Sequence, residues 1–444
     1  MLSILANRTY RHLFLAQIIA LVGTGLATVA LGLLAYDIAG ANAGAVLGTA
    51  MAIKMIAYIG VAPVVGAYAN RLPRRAFLIA MDVIRCLVAL ALPFVDQVWQ
   101  IYILIFVLQS ASAGFTPTFQ ATIPDVLPEE KDYTRALSLS RLAYDMESLT
   151  SPMLAAVLLT VMNFHWLFSG TAIGFACSAL LVLTTALPRS SARKSGGGIY
   201  DNTTRGARLY LKTPRLRGLL AVTLAAAAAS AMVIVNTPVL VQAALGLGQR
   251  EMAITLAAFG GGSMLAALLL PRLLDRLSDR KVMLAAASMM TITLAVLALT
   301  WREPASPGHW GVILAGWLVL GVAYSASITP GGRLLRRSSG EDDRPALFAA
   351  QFALSHICWL VAYPLAGQVG AVGGMGAALA ASAALALVGT IIAFRIWPVE
   401  DPEVVAHAHD DLAPGHPHLA EGHPEGKVSH AFVIDELHPH WPTR

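Results

Sequence analysis

The sequence predicts an all-α membrane protein with twelve transmembrane helices in two six-helix bundles and with both termini on the cytoplasmic side. Hydrophobic residues make up 57% of the 444 residues and charged residues only 13%, whereas a typical soluble domain has about 25% charged residues. Uncharged stretches of roughly 20 residues, the length that crosses the hydrocarbon core of a bilayer, recur along the chain. Arginine and lysine are concentrated in alternate connections between these stretches.

Twelve apolar segments are long enough to span a bilayer, and the first is too long for the apolar part of a signal peptide. They are predicted at 12–36, 44–69, 76–95, 98–117, 134–160, 164–187, 216–244, 251–271, 281–300, 310–330, 345–369 and 373–397. The loops after the second, sixth, eighth and tenth segments are rich in arginine, whereas the alternate loops are nearly free of basic residues. Because cytoplasmic loops are enriched in basic residues, both termini are expected in the cytoplasm of a multi-pass protein of the plasma (inner) membrane.

The longest internal polar stretch divides the chain into halves. We predict an N-terminal bundle at 1–188, a cytoplasmic linker at 189–215, a C-terminal bundle at 216–397 and a flexible tail at 398–444. The tail holds nine acidic and two basic residues, a net charge of −7, so the rest of the chain carries +12. A similar basic loop follows the second helix of each half, which indicates an internal duplication of the kind found in transporters.

Other functional classes find little support in the sequence. It contains no H-E-x-x-H, G-x-S-x-G or Walker A motif, so neither an enzyme nor an ATP-driven pump is expected. Cys86, Cys177 and Cys358 lie in apolar segments without C-x-x-C spacing, which argues against a disulfide framework or a thiolate zinc site. A passive channel or receptor is the other membrane class, but duplicated halves favour alternating access.

Charged side chains inside the apolar segments are candidates for the transport step, because a charge at mid-bilayer costs roughly 2.5–3.5 kcal/mol on insertion scales. These candidates are Lys54, Asp145, Glu147 and the imidazole of His356. In a functional interpretation, a carboxylate alternates between a proton and a metal ion, and His356 adds a nitrogen ligand. In a structural interpretation, Lys54 pairs with Asp145 or Glu147, and His356 is simply hydrogen bonded.

The tail contains eight of the twelve histidines of the chain. Three H-x-H pairs place two imidazoles on one side of an extended segment, and no cysteine accompanies them, so Ni²⁺, Co²⁺, Zn²⁺ and Cu²⁺ are favoured over Cu(I). The predicted tail ligands are His407, His409, His416, His418, His423, His430, His438 and His440.

The loop after the second segment resembles the G-x-x-x-D-R-x-G-R-R signature of the major facilitator superfamily, with asparagine in place of the aspartate and Pro73 in place of the second glycine. The resemblance implies a conformational latch at the cytoplasmic face, in which an acid and a base of the third helix and a second copy of the loop take part. The implied latch residues are Gly66, Asn70, Arg71, Arg74, Arg75, Asp82, Arg85, Asp275 and Arg276.

Within this superfamily, the stretch from Arg8 to Pro188 and the histidine-rich tail resemble the nickel-resistance permeases, notably in QSASAGFTPTFQATIPDVLPEE and RALSLSRLAYDMESLTSPMLAA. The resemblance implies proton-coupled export of a divalent transition-metal cation, with Ni²⁺ as the expected cargo. No resident cofactor and no nucleic acid partner are expected; the partners are the lipid bilayer, protons and the metal ion, and the protein is expected to be a monomer. The alternative is proton-coupled efflux of a drug-like organic compound or a metal chelate. Gln109 lies where drug/proton antiporters of the superfamily carry an arginine.

Overall fold

The computed structural model describes residues 2–39, 43–68, 72–188, 199–301, 307–401, 404–408, 427–434, 438 and 441, most of them in helices. The first half contains α1 (Arg8–Ala39), α2 (Ala43–Tyr68), α3 (Arg74–Ala91), α4 (Val98–Val126), α5 (Glu130–Leu159) and α6 (His165–Leu183). After α7 (Ile199–Lys212), the second half contains α8 (Pro214–Pro238), α9 (Gln249–Leu274), α10 (Asp279–Thr300), α11 (Trp310–Ile328), the short α12 (Gly331–Arg337) and α13 (Arg344–Ile396). Two strands follow, β1 (Val404–Ala408) and β2 (Lys427–Ala431).

Twelve spanning helices are present in the described part of the chain, as the sequence predicts. Ten helical stretches are long and apolar enough to cross a membrane. An eleventh, α5, has the necessary length but carries several charged side chains. The 53-residue α13 is two spanning helices joined at Gly374, whose φ of 80° is open to glycine but strained for other residues.

The two halves repeat one packing pattern. In the first half, α6 packs against α1 and α3, and α4 packs against α2 and α3. In the second half, α13 packs against α8 and α10, and α11 packs against α9 and α10 in the same order. The halves meet where α2 and α4 contact α13 and where α5 contacts α9. This repetition is the arrangement expected from a duplicated six-helix unit.

Glycines allow the backbones of α9 and α11 to touch. A Cβ atom added to Gly262 would overlap the carbonyl oxygen of Leu318, and one added to Gly321 would overlap the carbonyl oxygen of Phe259. Small residues at such crossings are the usual means by which membrane helices approach closely. By contrast, a Cβ added to the neighbouring Gly261 meets nothing within 4 Å.

The second part of the predicted linker is a helix, α7, which packs against both halves through α2 and α13. Tyr210 is fully buried and donates a hydrogen bond to Oε1 of Gln351. Arg205 forms a bidentate ion pair with Asp343, with distances of 2.7 and 3.1 Å. The first part of the predicted linker, 189–198, lies outside the described residues.

The start of the tail is anchored to the second half. Asp401 Oδ1 lies 3.2 Å from Arg215 Nε, and Asp401 Oδ2 accepts a hydrogen bond from Trp397 Nε1 at 3.2 Å. The backbone oxygen of Asp401 accepts a hydrogen bond from Arg337 at 3.1 Å. The tail therefore begins as part of the folded body.

The end of the tail returns to the same place. β1 and β2 pair antiparallel, with Val404 opposite Ala431. Beyond β2, Phe432 and Ile434 are buried. The ring of Trp441 lies 5.2 Å from that of Phe432 and 4.7 Å from the guanidinium carbon of Arg215. The described parts of the predicted flexible tail are thus packed, because these apolar side chains cover the buried Arg215.

Replacing Gly262 by alanine is expected to destabilise the protein by about 1–3 kcal/mol, because the new methyl group must push α11 away from α9. The readout is the melting temperature of the purified protein, which should fall. Gly261→Ala is the matched control, since the same substitution in open space improves helix propensity by about 0.5–1 kcal/mol. Equal melting temperatures for the two variants would contradict the close packing of α9 and α11.

Candidate functional site

A cavity of about 460 Å³ lies between the two halves. Its walls come from α1, α2, α4 and α5 on one side and from α8, α11, α12 and the first part of α13 on the other. Eight aromatic side chains line these walls: Phe119, Tyr133, Tyr144, Tyr324, Phe348, Phe352, Trp359 and Tyr363. Such a cavity is within the size range of sites for drug-sized molecules, about 300–1,000 Å³.

The charged side chains that line this cavity are both cationic. Among the described residues of its wall, Lys54 and Arg141 are charged and no carboxylate is present. The remaining polar groups are amides, hydroxyls and the imidazole of His356. The wall thus combines aromatic faces with neutral polar groups and, among its described residues, provides no carboxylate to bind a bare cation.

Asp145 is buried behind the cavity wall and bound on both carboxylate oxygens. Arg141, one turn earlier on α5, donates from Nη2 to Oδ1 and from Nε to Oδ2, the latter at 3.2 Å. Ser263 on α9 donates from Oγ to Oδ2 at 2.6 Å. The guanidinium carbon of Arg141 lies 4.8 Å from the ring centroid of Tyr324 on α11. This cluster joins α5 of the first half to two helices of the second.

Arg141 is a residue that the sequence reasoning missed. It lies inside the predicted fifth segment, and its i, i+4 spacing from Asp145 places both on one side of the helix. That spacing was the available signal. No local pattern in the sequence indicates the contact between Arg141 and Ser263, which is 122 residues away.

Glu147 has a different environment from Asp145. It is half-buried, and its carboxylate faces Gly25 of α1, where an added Cβ would overlap both Glu147 and Ser151. Lys54 lies close enough for its charge to act on Glu147. Of the two acids considered as partners for Lys54, the structure therefore brings Glu147 within electrostatic reach, whereas Asp145 is held by Arg141.

His356 lies in an aromatic cluster that crosses from α13 to α2. Its ring is 4.6 Å from that of Tyr58, in an edge-on orientation, and 4.4 Å from that of Phe352. Its Nδ1 lies 2.7 Å from the carbonyl oxygen of Phe352. Because a carbonyl only accepts, Nδ1 carries the hydrogen and Nε2 is left as an acceptor. Tyr58 in turn donates to Oε1 of Gln109 at 2.9 Å, and Lys54 Nζ lies 5.4 Å from the Tyr58 ring.

The residues of the implied latch fall into separate groups. Asn70 and Arg71 lie outside the described residues. Gly66 is packed against Ala349, so that an added Cβ would overlap it across the interface between the halves. Arg74 forms a buried ion pair with Asp125, which also pairs with Arg344 of the second half. Arg75 donates to the carbonyl oxygen of Thr185 at 3.4 Å.

The other implied latch residues do not join this group. Asp82 and Arg85 pair with each other inside the first half, and Ser178 donates to Asp82 at 2.8 Å. The guanidinium carbon of Arg85 lies between two rings, 4.1 Å from Phe115 and 4.6 Å from Phe175. In the second copy of the loop, Asp275 and Arg276 are exposed at the end of α9.

Ion pairs that the sequence reasoning did not single out connect the halves at the end of the molecule that carries α12, which we call the basic end. Arg333 of α12 pairs with Glu130 of α5 and lies 2.9 Å from Asp279 of α10. Arg337 lies 3.3 Å from the same buried Asp279. The pairs of Asp279 hold α12 on α10 within the second half, and the pair between Arg333 and Glu130 crosses to the first half. The basic end, which the loop pattern predicts to be cytoplasmic, is therefore closed.

The structure describes three of the eight predicted metal ligands of the tail. His407 is in β1, His430 is in β2, and the buried His438 has its ring 4.9 Å from that of Phe432. The other five tail histidines, His409, His416, His418, His423 and His440, lie outside the described residues. Within the described ranges, no group of three or more His, Cys, Asp or Glu side chains could hold a metal ion.

Residues 13–248 and 218–419 match the family described as Major Facilitator Superfamily. Among solved structures, the human organic anion transporter MFSD10 (TETRAN) superposes with a TM-score of 0.73 at 13% identity, covering 87% of this chain and 99% of that protein. A bacterial homologue of the iron transporter ferroportin in an outward-facing state gives a TM-score of 0.74 at 14% identity, covering 87% and 98%. At these identities the likeness establishes the fold alone.

The relatives that are similar in sequence match only part of this chain. An uncharacterised MFS-type transporter, YfiS, of Bacillus subtilis (strain 168) is 26% identical over 129 residues, which are 29% of this chain and 30% of that protein. Macrolide efflux protein A of Enterococcus faecalis is 25% identical over 157 residues, 33% of this chain and 48% of that protein. The chain thus matches less than half the length of these relatives.

Replacing Asp125 by asparagine is expected to open the basic end, because Arg344 of the second half loses its carboxylate partner on α4 of the first half. Breaking a buried ion pair by removing one partner costs about 3–5 kcal/mol. The measurement is alkylation of a cysteine placed at Leu137, which lines the cavity, in a chain whose three native cysteines are replaced. A membrane-impermeant maleimide applied to inside-out vesicles should label this cysteine several-fold faster in the Asp125→Asn protein.

The matched control is Asp275→Asn, which removes an exposed carboxylate near the same end. Its labelling rate should equal that of the parent. Equal rates in the Asp125→Asn and parent proteins would mean that the ion pair between Asp125 and Arg344 does not keep the basic end closed.

Proposed function

The chain belongs to the major facilitator superfamily and is a multi-pass secondary transporter, and we propose that it exports an organic compound in exchange for protons. The compound presents aromatic or apolar surface to the cavity between the halves. The family consists of transporters rather than enzymes, and alternating access of this cavity is the mode of transport.

The aromatic wall of the central cavity is the observation that carries this proposal. Rings from both halves surround a space of about 460 Å³, so a compound held there contacts both halves at once. Stacking on rings contributes about 0.5–1.5 kcal/mol per pair beyond the burial of area. Macrolide efflux proteins among the relatives support export of an organic compound, over the third of this chain that they match.

The lining also argues for an organic cargo over a bare Ni²⁺ ion. Lys54 and Arg141 repel a divalent cation, and His356 is the only imidazole among the described residues of the wall. Nickel sites in proteins are built from several nitrogen, oxygen or sulfur ligands, which this wall does not collect. A chelated metal, whose ligands are already supplied, remains within the proposed class.

Glu147 is the carboxylate best placed to carry the coupling proton. Asp145 is occupied by Arg141 and Ser263, so protonating it would break an ion pair and a short hydrogen bond. Glu147 is half-buried near Lys54, and gaining a proton there changes the charge beside the cavity without dismantling a link between the halves. We assign the proton to Glu147 and an anchoring role to Asp145.

Cells that lack the gene are expected to become sensitive to at least one aromatic organic compound, and expression of the protein should restore tolerance. Phe352→Ala should raise the KM for that compound several-fold in everted vesicles, because a ring is removed from the cavity wall. Phe394→Ala is the control, since it removes an exposed ring of the same helix, α13, away from the cavity. Restored tolerance to Ni²⁺ alone, with no organic compound affected, would contradict the proposal.

Glu147→Gln is expected to abolish export driven by a pH gradient while retaining exchange of labelled for unlabelled compound, because the side chain no longer takes up a proton. Asp145→Asn should instead slow both processes and lower the melting temperature, since Arg141 loses its buried partner. Both variants are measured in proteoliposomes with and without an imposed gradient. Full gradient-driven export by the Glu147→Gln protein would overturn the assignment.

A further inference from the structure

We propose that a second pocket, at the basic end, binds a phosphate-bearing anion that stabilises the closed basic end. The pocket has a volume of about 120 Å³ and is lined by Glu130, Tyr133, Arg333, Arg336, Arg337 and Arg344. Tyr133 is its common wall with the central cavity. The proposal does not depend on which compound the central cavity transports.

The charges around this pocket are unbalanced. Four guanidinium groups line it against the single carboxylate of Glu130. Asp279 lies behind two of the arginines, and Asp125 is shared between one of them and Arg74. Counting these neighbours and the exposed Glu341, whose charge acts on Arg74, five arginines face four carboxylates, so these groups leave an excess of positive charge.

Arg336 is one of three arginines of the pocket that have an N–H group without an acceptor among the described residues. Its Nη2 donates to the carbonyl oxygen of Pro128, and its guanidinium carbon lies 5.7 Å from the ring centroid of Tyr133. Its Nη1 is buried and has no acceptor among the described residues, and the same holds for Nε of Arg337 and Nε of Arg344. Buried donors without acceptors are costly.

A phosphate group supplies what these donors lack. It carries several acceptor oxygens and negative charge, and the planar guanidinium group binds such oxygens with good geometry. The donors left over belong to three different arginines that line one pocket. A carboxylate offers fewer acceptors, and chloride is a single point acceptor, so phosphate is the chemistry that the donor set favours.

The position of the pocket decides the effect of the anion. Glu130 and Tyr133 belong to α5 of the first half, whereas the four arginines belong to α12 and the start of α13 in the second half. The site exists only while the two halves meet at the basic end. By linkage, a ligand that binds only this conformation shifts the population toward it. The anion is either free phosphate or the headgroup of an anionic phospholipid.

The first test uses the purified full-length protein in detergent, with inorganic phosphate titrated against chloride at constant ionic strength. The melting temperature should rise and saturate with phosphate. Arg336→Gln should weaken the apparent affinity about tenfold or more, since hydrogen bonds to charged groups are lost, and Arg336→Lys should fall between the two. Arg217→Gln, which removes an exposed charge at the start of α8, should respond as the parent does.

The second test separates the two sources of phosphate. The same proteins are placed in nanodiscs of phosphatidylcholine, with or without phosphatidylglycerol, in phosphate-free buffer. Stabilisation by phosphatidylglycerol that disappears in Arg336→Gln assigns the pocket to lipid, and stabilisation by inorganic phosphate alone assigns it to the free ion. If Arg336→Gln folds poorly, Arg336→Lys replaces it in both tests. The slowing of maleimide labelling at Leu137→Cys by phosphate then provides a second measurement of anion binding. Stabilisation by neither source, or equal stabilisation of parent and Arg336 variants, would overturn the proposal.

Discussion

The ion pairs between the two halves at the basic end determine which end of the central cavity is closed. Arg333 of the second half pairs with Glu130 of the first, and Arg344 of the second half pairs with Asp125 of the first. The side chains of Arg344 and Asp125 are largely buried, so separating the halves requires water to replace several charged contacts together. Because buried pairs are costly to break singly, the interface favours two discrete arrangements over a gradual opening.

The cost of leaving a buried charge unpaired also governs the charges inside the spanning helices. α5 carries Arg141, Asp145 and Glu147 and is too polar to be identified as a membrane span by hydropathy alone. It remains stable in that place because its charges face protein: Asp145 is held by Arg141 and Ser263, and Glu147 lies against α1. The stability of α5 thus depends on contacts with both halves. This helix links the fold of the first half to the position of the second.

Those features that follow from local patterns could be predicted from the sequence. The twelve spans follow from the length of the apolar runs, including the boundary between 345–369 and 373–397, where Gly374 interrupts an otherwise continuous helix. The duplicated halves follow from the repeated basic loop. The central polar residues Lys54 and His356 were identified because charge and imidazole are rare in apolar segments, and both line the cavity.

Contacts between distant positions could not be predicted in this way. Glu130 and Arg333 come from different halves, and each lies in a segment that the sequence predicts to be a loop, whose composition indicates only which side of the membrane it faces. The docking of the tail depends on a few aromatic side chains: Phe432 contacts Trp441, and Trp441 contacts Arg215, which is distant in sequence. Such contacts carry too little apolar periodicity to stand out from a flexible segment.

The arrangement of charge around the cavity constrains the sign of the proposed coupling. While Glu147 is ionised it offsets the charge of Lys54, and when it gains a proton the cavity becomes more positive. An anionic compound then binds more tightly and would move together with the proton. An uncharged compound binds equally tightly in both states, whereas a positively charged compound, which the aromatic rings accommodate through cation–π contacts, binds less tightly. Exchange of compound for proton through the charge of Glu147 therefore requires a positively charged cargo, because only a cation is released as the proton arrives.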